Sequence, residues 1–113
     1  MSVSVSTYGE AEVVHLPEKL TMANANEIKA TLTKMIEEGR HRLVIDMAGV
    51  NFTDSSGLAV LVALYKSVGA KKGRAVLLSP QPSVQSLLEL TRLQELFEIY
   101  QDPRAAIDRV LAD

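Results

Sequence analysis

The strongest constraint on the fold is an alternation of short β-like runs with helix-like stretches along the whole chain. Two β-like runs open the sequence, and from there apolar residues recur in turn at helical spacing and as continuous strand-like segments. Strands separated by helices pair in parallel through right-handed crossovers, whereas two strands joined by a short turn pair antiparallel. The order β-β-α-β-α-β-α-β-α therefore predicts an α/β fold: a mixed sheet of about five strands, opened by an antiparallel hairpin and covered by about four helices.

Local signals place these elements along the chain. The strands are predicted at residues 3–7, 13–16, 41–47, 75–78 and 97–100, and the helices at residues 27–38, at residues 54–70, and from Pro82 and Pro103 onward. Asn24 or Asn26 is expected to cap the first helix, and Gly39 to end it. Residues 43–45 are apolar without interruption, as in a strand buried on both faces, so we expect the central strand there.

Composition limits the partners and the chemistry that are available. A length of 113 residues fits one domain over residues 1–113. The 12 Lys and Arg against 14 Asp and Glu leave a net charge of -2, which does not attract phosphate backbones, so nucleic acid is not an expected partner. With no Cys and only 2 His, we expect no disulfide, no thiol nucleophile, no metal site and no cofactor.

The apolar segments are too short for a membrane. The longest wholly apolar stretch is residues 58–65, far below the roughly 20 residues that span a bilayer. Residues 1–7 show neither the basic head nor the apolar run of a signal peptide. We therefore expect no membrane insertion and a cytoplasmic location, with which the lack of Cys is compatible.

The most informative segment is residues 44–58, where a carboxylate and two hydroxyls follow the predicted central strand. Asp54, Ser55 and Ser56 stand at the start of the second helix, and sites in open α/β folds are built beyond the carboxyl ends of strands. The free N–H groups and partial positive charge of a helix start tolerate a phosphate dianion. Ser55 is therefore a candidate phosphoacceptor, although the same residues also fit a plain helix cap.

The pattern D-x-x-x-V-x-F-x-D-S-S-G-L runs from Asp46 to Leu58, after a strand and before an apolar helix that carries Tyr65 and Lys66. It resembles the STAS domain of bacterial anti-sigma factor antagonists, and the order of elements resembles that family over nearly the whole chain. The resemblance implies a regulatory binding protein, not an enzyme and without catalytic residues, that sequesters an ATP-binding serine kinase doubling as the anti-sigma factor. That kinase would phosphorylate Ser55, and a metal-dependent serine phosphatase would remove the phosphate.

The second helix carries apolar residues on more than one face, more than a helix packed on one side of a sheet needs. We expect a docking surface that begins at Ser55 and continues along this helix, with burial by neighbouring helices as the alternative. Asp54 is expected to cap the helix and orient the phosphoacceptor, and Gly57 either to admit the partner's backbone or to pack within the fold. The expected partner-binding residues are Asp54, Ser55, Ser56, Gly57, Leu58 and Leu61.

Two positions depart from the family pattern. Thr21 stands after the second strand where the family usually carries an acidic residue near the switch site, and the turn Gly before it is absent. Arg92 stands where the family usually carries Gly, at a position that often favours positive φ. Both changes fall on surfaces close to or flanking the motif, so the identity of the partner stays open.

Two other functions remain as alternatives. An adaptor subunit of a lipid-transport ABC system belongs to the same family and uses no phosphorylation. A Ser-nucleophile enzyme would need a general base beside Ser55, yet His15 lies within a predicted strand and His41 at the opposite end of another. Asp46 ends the central strand, which also resembles the phosphoacceptor of response-regulator receivers, but the opening strand supplies no acidic pair for magnesium.

Overall fold

The computed structural model describes residues 3–112, so residues 1 and 2 of the segment 1–7 and the last residue of the expected domain 1–113 lie outside it. The strands are β1 Ser4–Tyr8, β2 Ala11–His15, β3 Lys19–Leu20, β4 Arg42–Asp46, β5 Phe52–Thr53, β6 Arg74–Leu78 and β7 Ile99–Tyr100. The helices are α1 Ala25–Glu37, α2 Ser55–Ala70, α3 Pro82–Leu90 and α4 Pro103–Leu111, with a 3₁₀ turn at Leu93–Glu95. Within this range, no helix has the length and apolar character to cross a membrane.

The main sheet has five strands in the order β1-β2-β4-β6-β7. β1 pairs antiparallel with β2, and every other pair of neighbours is parallel. The predicted mixed sheet, its opening hairpin and the four helices are confirmed. Because β2, β4, β6 and β7 run in one direction, their carboxyl ends meet at one edge of the sheet.

Helices cover both faces of this sheet. α1, α2 and α3 contribute to the larger core on one face, and α4 packs on the other. Leu43 and Ile45 of β4 belong to the larger core and Val44 to the smaller one, and all three are fully buried. The prediction of a central strand at residues 43–45 is therefore confirmed.

A second, two-stranded sheet includes residues 19–20 and 52–53, where the sequence pattern predicts no strand. β3 pairs in parallel with β5, with Lys19 opposite Phe52 and Leu20 opposite Thr53. Strands of two residues are too short to show an alternating pattern, which is why the sequence does not reveal them. Their pairing holds the segment that precedes α1 against the segment that precedes α2.

The last strand also differs from its prediction, since β7 begins at Ile99 and not at residue 97. The side chain of Phe97 is buried in the larger core, where its ring meets Tyr65 edge to face with centroids 5.7 Å apart. Burial of an aromatic ring outweighs the gain from two further residues of edge pairing.

The start of α1 is formed differently from the expected cap. The helix begins at Ala25, and the side chain of Asn24 makes no capping hydrogen bond to it. Asn24 Oδ1 instead accepts a hydrogen bond from the N–H of Thr21 (3.0 Å), and its Nδ2 donates to the carbonyl of Lys19 (2.7 Å). Asn24 therefore stabilises the turn between β3 and α1.

Two left-handed residues follow helices as expected. Gly39 has φ +92° and follows Glu38, the C-cap of α1, and its N–H donates to the carbonyl of Ile36. Arg92 has φ +63°, so the prediction of positive φ at this position is confirmed. A non-glycine residue is strained in this conformation, and the Arg92 guanidinium binds the Glu95 carboxylate at 2.9 Å.

Candidate functional site

The start of α2 is organised by the carboxylate of Asp54. Its Oδ1 accepts a hydrogen bond from the N–H of Gly57 (3.0 Å), which is the capping bond predicted from the sequence. Its Oδ2 accepts from the N–H of Met22 (3.1 Å) in the turn that leads into α1. One carboxylate thus joins the first turn of α2 to the segment between β3 and α1.

These contacts determine the charge of Asp54. The hydrogen bond from the Gly57 N–H is the largest influence and lowers the pKa of the Asp54 carboxyl below its usual 3.8. Desolvation opposes this effect, and the Met22 N–H lowers the pKa further by a smaller amount. Asp54 is therefore ionised at neutral pH. A negative charge is in place beside Ser55 before any modification.

Ser55 is the first residue of α2 and is exposed, whereas its neighbour Ser56 is half-buried. Within residues 3–112, no hydrogen bond is made by the Ser55 hydroxyl, and the first turn of α2 carries no acidic side chain. The Ser55 hydroxyl is therefore accessible at the partially positive end of a 16-residue helix. This geometry suits a residue that has to receive a dianionic group.

Two of the residues expected to contact a partner are buried instead. The side chain of Leu61 is 1% exposed and lies in the larger core, because its face of α2 packs against the sheet and α1. Gly57 is also buried, and a Cβ at this position would overlap Thr53 Oγ1 and the carbonyl of Leu20. Gly57 therefore serves close packing between α2 and the β3–β5 pair, and not an approach by a partner's backbone.

Most of the apolar residues on the several faces of α2 are likewise buried in the core. Val60, Leu64 and Val68 are buried together with Leu61, while Leu58 is half-buried and packs against the edge of the core. Burial by neighbouring helices accounts for the middle of the helix. The first turn of α2 stays accessible at Ser55, with Leu58 at its margin, and Tyr65 is exposed further along the helix.

The sequence reasoning missed two apolar side chains that flank this turn. Met22 is 78% exposed, and Phe52 is 53% exposed on β5. A shallow cleft of about 220 Å³ also opens between α1 and α2, lined in part by Met22, Lys29 and Ser56. Large apolar residues on the chain segments next to the motif were the available signal. Only the fold shows that Met22 lies beside the first turn of α2, through its bond to Asp54 and the cleft that it shares with Ser56.

Thr21 lies in the turn that Asp54 holds. Its Oγ1 accepts a hydrogen bond from the N–H of Ala23 (3.2 Å), and the next residue, Met22, donates to Asp54. A carboxylate in place of Thr21 would add a second negative charge close to Asp54. The neutral Thr21 side chain therefore adds no charge to the turn that Asp54 holds.

Comparison with known proteins supports the fold and the family. The anti-sigma F factor antagonist of Lysinibacillus sphaericus is 28% identical over 102 residues, which cover 89% of this chain and 86% of that protein. The anti-sigma-B factor antagonist of Staphylococcus epidermidis is 22% identical over 99 residues, covering 88% of this chain and 92% of that protein. The crystal structure of TM1081 from Thermotoga maritima superposes with a TM-score of 0.90 at 25% identity, over 97% of this chain and 95% of that one.

The family comparison covers the fold and the start of α2 together. The model of the STAS domain family matches residues 2–106, a range that includes the whole five-stranded sheet and extends into α4. The resemblance that the motif around Ser55 suggested thus holds over the length of the fold. The chain belongs to the STAS domain family.

Proposed function

We propose that the chain, as one domain over residues 1–113, is an anti-sigma factor antagonist whose partner is an ATP-binding serine kinase that doubles as the anti-sigma factor. Relatives that cover most of the chain carry the name anti-sigma factor antagonist, which favours this function over an ABC-system adaptor. The observation that carries the proposal is the exposed hydroxyl of Ser55 at the start of α2. In the unphosphorylated state, the protein binds the kinase and keeps it from its sigma factor.

The docking surface consists of Ser55, Ser56, Leu58, Met22 and Phe52. The apolar side chains at its margin supply area that a partner can desolvate, and the hydroxyls at its centre are neutral. Asp54 supports this surface mainly through its hydrogen bonds from the N–H groups of Met22 and Gly57, and less by direct contact with the partner. We therefore expect a partner that is complementary to this surface to place a neutral group opposite the Ser55 hydroxyl.

Phosphorylation of Ser55 changes the charge of this surface without opening the fold. The phosphate adds roughly -2 of charge at a helix start, where the partial positive charge stabilises it by about 0.3–1 kcal/mol. The same dianion stands beside ionised Asp54 and has to be desolvated when the partner binds. Phosphorylation therefore releases the partner, and a metal-dependent serine phosphatase restores binding.

No catalytic residue of this chain takes part in the switch. The base and the magnesium ions for phosphoryl transfer belong to the kinase, and Asp54 is already engaged by two N–H groups. The exchange uses ATP, so we place it in the bacterial cytoplasm.

The test is phosphorylation by an ATP-binding serine kinase that binds the unmodified chain. With ATP, the kinase should add one phosphate to the wild-type chain, mapped to Ser55 by peptide mass spectrometry. Ser55→Ala should abolish incorporation, and the matched variant Ser56→Ala should keep it. Phosphate on Ser56, or on no serine while the kinase binds the chain, contradicts the assignment.

A further inference from the structure

A second serine, Ser6, belongs to a series of side-chain hydrogen bonds on the face of the sheet that α4 covers, opposite to the face of α2. Ser6 Oγ is 3.2 Å from His15 Nε2, and His15 Nδ1 is 2.7 Å from Asp46 Oδ2. Asp46 Oδ1 accepts a hydrogen bond from the N–H of Ala48 (3.0 Å), so both oxygens of this carboxylate are held. Two successive hydrogen bonds thus connect a hydroxyl, an imidazole and a carboxylate.

The topology of the sheet creates this arrangement. His15 and Asp46 face each other across the parallel pair β2–β4, each at the last position of its strand. Val13 and Val44, two residues earlier on the same strands, pack with α4, so the three polar side chains share the α4 face and not the face of α2. Ser6 reaches His15 diagonally from the edge strand β1, where Ser4 is the residue directly opposite His15.

The direction of the hydrogen bonds prepares Ser6 for proton loss. The Asp46 carboxylate can only accept, so a neutral His15 places its proton on Nδ1 and turns the lone pair of Nε2 toward the Ser6 hydroxyl. A nucleophile bonded to a base that a third group orients is the arrangement of nucleophilic hydroxyl catalysis, which is recognised by geometry and not by sequence position.

The site is open to a substrate. The His15 side chain is 40% exposed and that of Asp46 is 20% exposed, so the base can be reached while the carboxylate stays partly shielded. β1 is the outer strand of the sheet, and alternate N–H groups of an edge strand point away from its neighbour. These unpaired N–H groups are available to donate to a ligand that binds at the edge of β1.

We propose that Ser6 is the nucleophile of a second site, with His15 as its base and Asp46 as the residue that positions His15, and that it takes acyl groups from activated esters. Ser6 Oγ forms a bond to the acyl carbon while its proton moves to His15 Nε2. The ester C–O bond breaks, and the proton passes from His15 to the leaving alkoxide. Water then releases the acid by the same route and regenerates the Ser6 hydroxyl.

The experiment treats the full chain with diisopropyl fluorophosphate and follows the adduct by intact mass and peptide mapping. The Ser6 oxygen forms a bond to phosphorus, the P–F bond breaks, fluoride leaves, and the proton goes to His15. We expect one adduct, on Ser6. Ser4→Ala should label like the wild type, because Ser4 is the neighbouring serine on the same strand, and Ser6→Ala should abolish labelling.

Two variants separate an activated serine from one that is merely exposed. In Asp46→Asn, the amide oxygen can keep the bond from the Ala48 N–H while the amide nitrogen donates to His15 Nδ1. The His15 proton then moves to Nε2, which no longer accepts the proton of Ser6. We expect labelling to slow at least tenfold in Asp46→Asn and in His15→Gln, with unchanged circular dichroism.

The result that overturns the proposal is a folded wild-type chain without an adduct on Ser6, or one that labels several serines alike. Equal labelling rates in the wild type, Asp46→Asn and His15→Gln overturn it as well. Ser55→Ala should leave labelling of Ser6 unchanged. The proposal can thus fail while phosphorylation of Ser55 is observed, and the reverse also holds.

Discussion

Ser55 and Ser6 both carry accessible hydroxyls, but the surroundings of the two side chains favour different chemistry. Ser55 is at the positive end of α2, makes no hydrogen bond within the described residues and has no imidazole in its turn. Ser6 is on the edge strand β1 and is bonded to His15. The first environment stabilises an added dianion, whereas the second removes a proton.

The two sites are also built by different kinds of contact. The turn of Ser55 is held by backbone groups and close packing, through the two N–H groups bound to Asp54 and the fit of Gly57 against Leu20. The site of Ser6 is held by side-chain hydrogen bonds on a partly exposed sheet face. Substitutions of Asp54 or Gly57 should therefore disturb the fold, whereas substitutions of His15 or Asp46 should mainly change the chemistry of Ser6.

The largest effect on stability is expected from Gly57→Ala. The new methyl group overlaps Thr53 Oγ1 and the backbone carbonyl of Leu20, so we expect a loss of about 3 kcal/mol in the free energy of unfolding. Gly69→Ala is the matched control in the same helix, where a Cβ meets nothing within 4 Å, and should stabilise by about 0.5–1 kcal/mol. Urea unfolding of both variants measures the difference, and equal effects would contradict the packing role of Gly57.

Phosphorylation of Ser55 is expected to act on binding and not on the fold. Affinity for the kinase should fall at least tenfold, or about 1.4 kcal/mol, while the far-ultraviolet circular dichroism stays the same. Ser55→Asp should give part of the loss, because a carboxylate carries one charge. Isothermal titration measures the affinities, with Ser6→Ala as the control that should bind like the wild type. Tight binding by the phosphoprotein would refute the electrostatic mechanism.

Asp54→Ala should lower the thermal midpoint by about 4–8 °C, since the first turn of α2 loses its cap and the turn at Met22 is released. Asp102→Ala removes the corresponding cap of α4 and should lower the midpoint similarly. Kinase binding should weaken in Asp54→Ala alone. Equal binding by the two variants would show that the Asp54 contacts do not shape the docking surface.

The effect of Asp54→Ala should also depend on pH. The pKa of Asp54 is lower in the folded chain than its usual 3.8, so its stabilising effect is present above pH 3.8 and is lost as the pH falls through the folded-state pKa. The difference in midpoint between wild type and variant should therefore shrink in strong acid. A difference that stays constant as the pH falls below 3.8 would argue against stabilisation by the ionised carboxylate.

The smallest effects are expected from removing either hydroxyl. Ser55→Ala should change the free energy of unfolding by less than about 0.5 kcal/mol, because the Ser55 side chain is exposed. Ser6→Ala loses one partly buried hydrogen bond to His15 and should cost about 0.5–1 kcal/mol. Chemical unfolding of the two variants in parallel compares them. A larger loss for Ser55→Ala would mean that its hydroxyl supports the fold.

The sequence predicted the parts of the Ser55 site that depend on near neighbours. The cap by Asp54 joins residues three positions apart, and the place of Ser55 follows from the start of the helix. The burial of Leu61 was not predicted, because α2 carries apolar residues on several faces and only its packing against α1 and the sheet shows which face is covered. Met22 was missed because its place beside the first turn of α2 depends on its hydrogen bond to Asp54, and Phe52 because a strand of two residues shows no alternating pattern.

By itself, the sequence determined the order of the elements, the central strand and the position of Ser55 at the start of α2. Hydrophobic period, capping and turn chemistry act between residues close in the chain, so they can be inferred from the sequence. Only the tertiary structure decided that Ser6, His15 and Asp46 meet, because 9 residues separate the first pair and 31 the second. Contacts at such separations depend on strand order and register, which the whole sheet and its helices determine together.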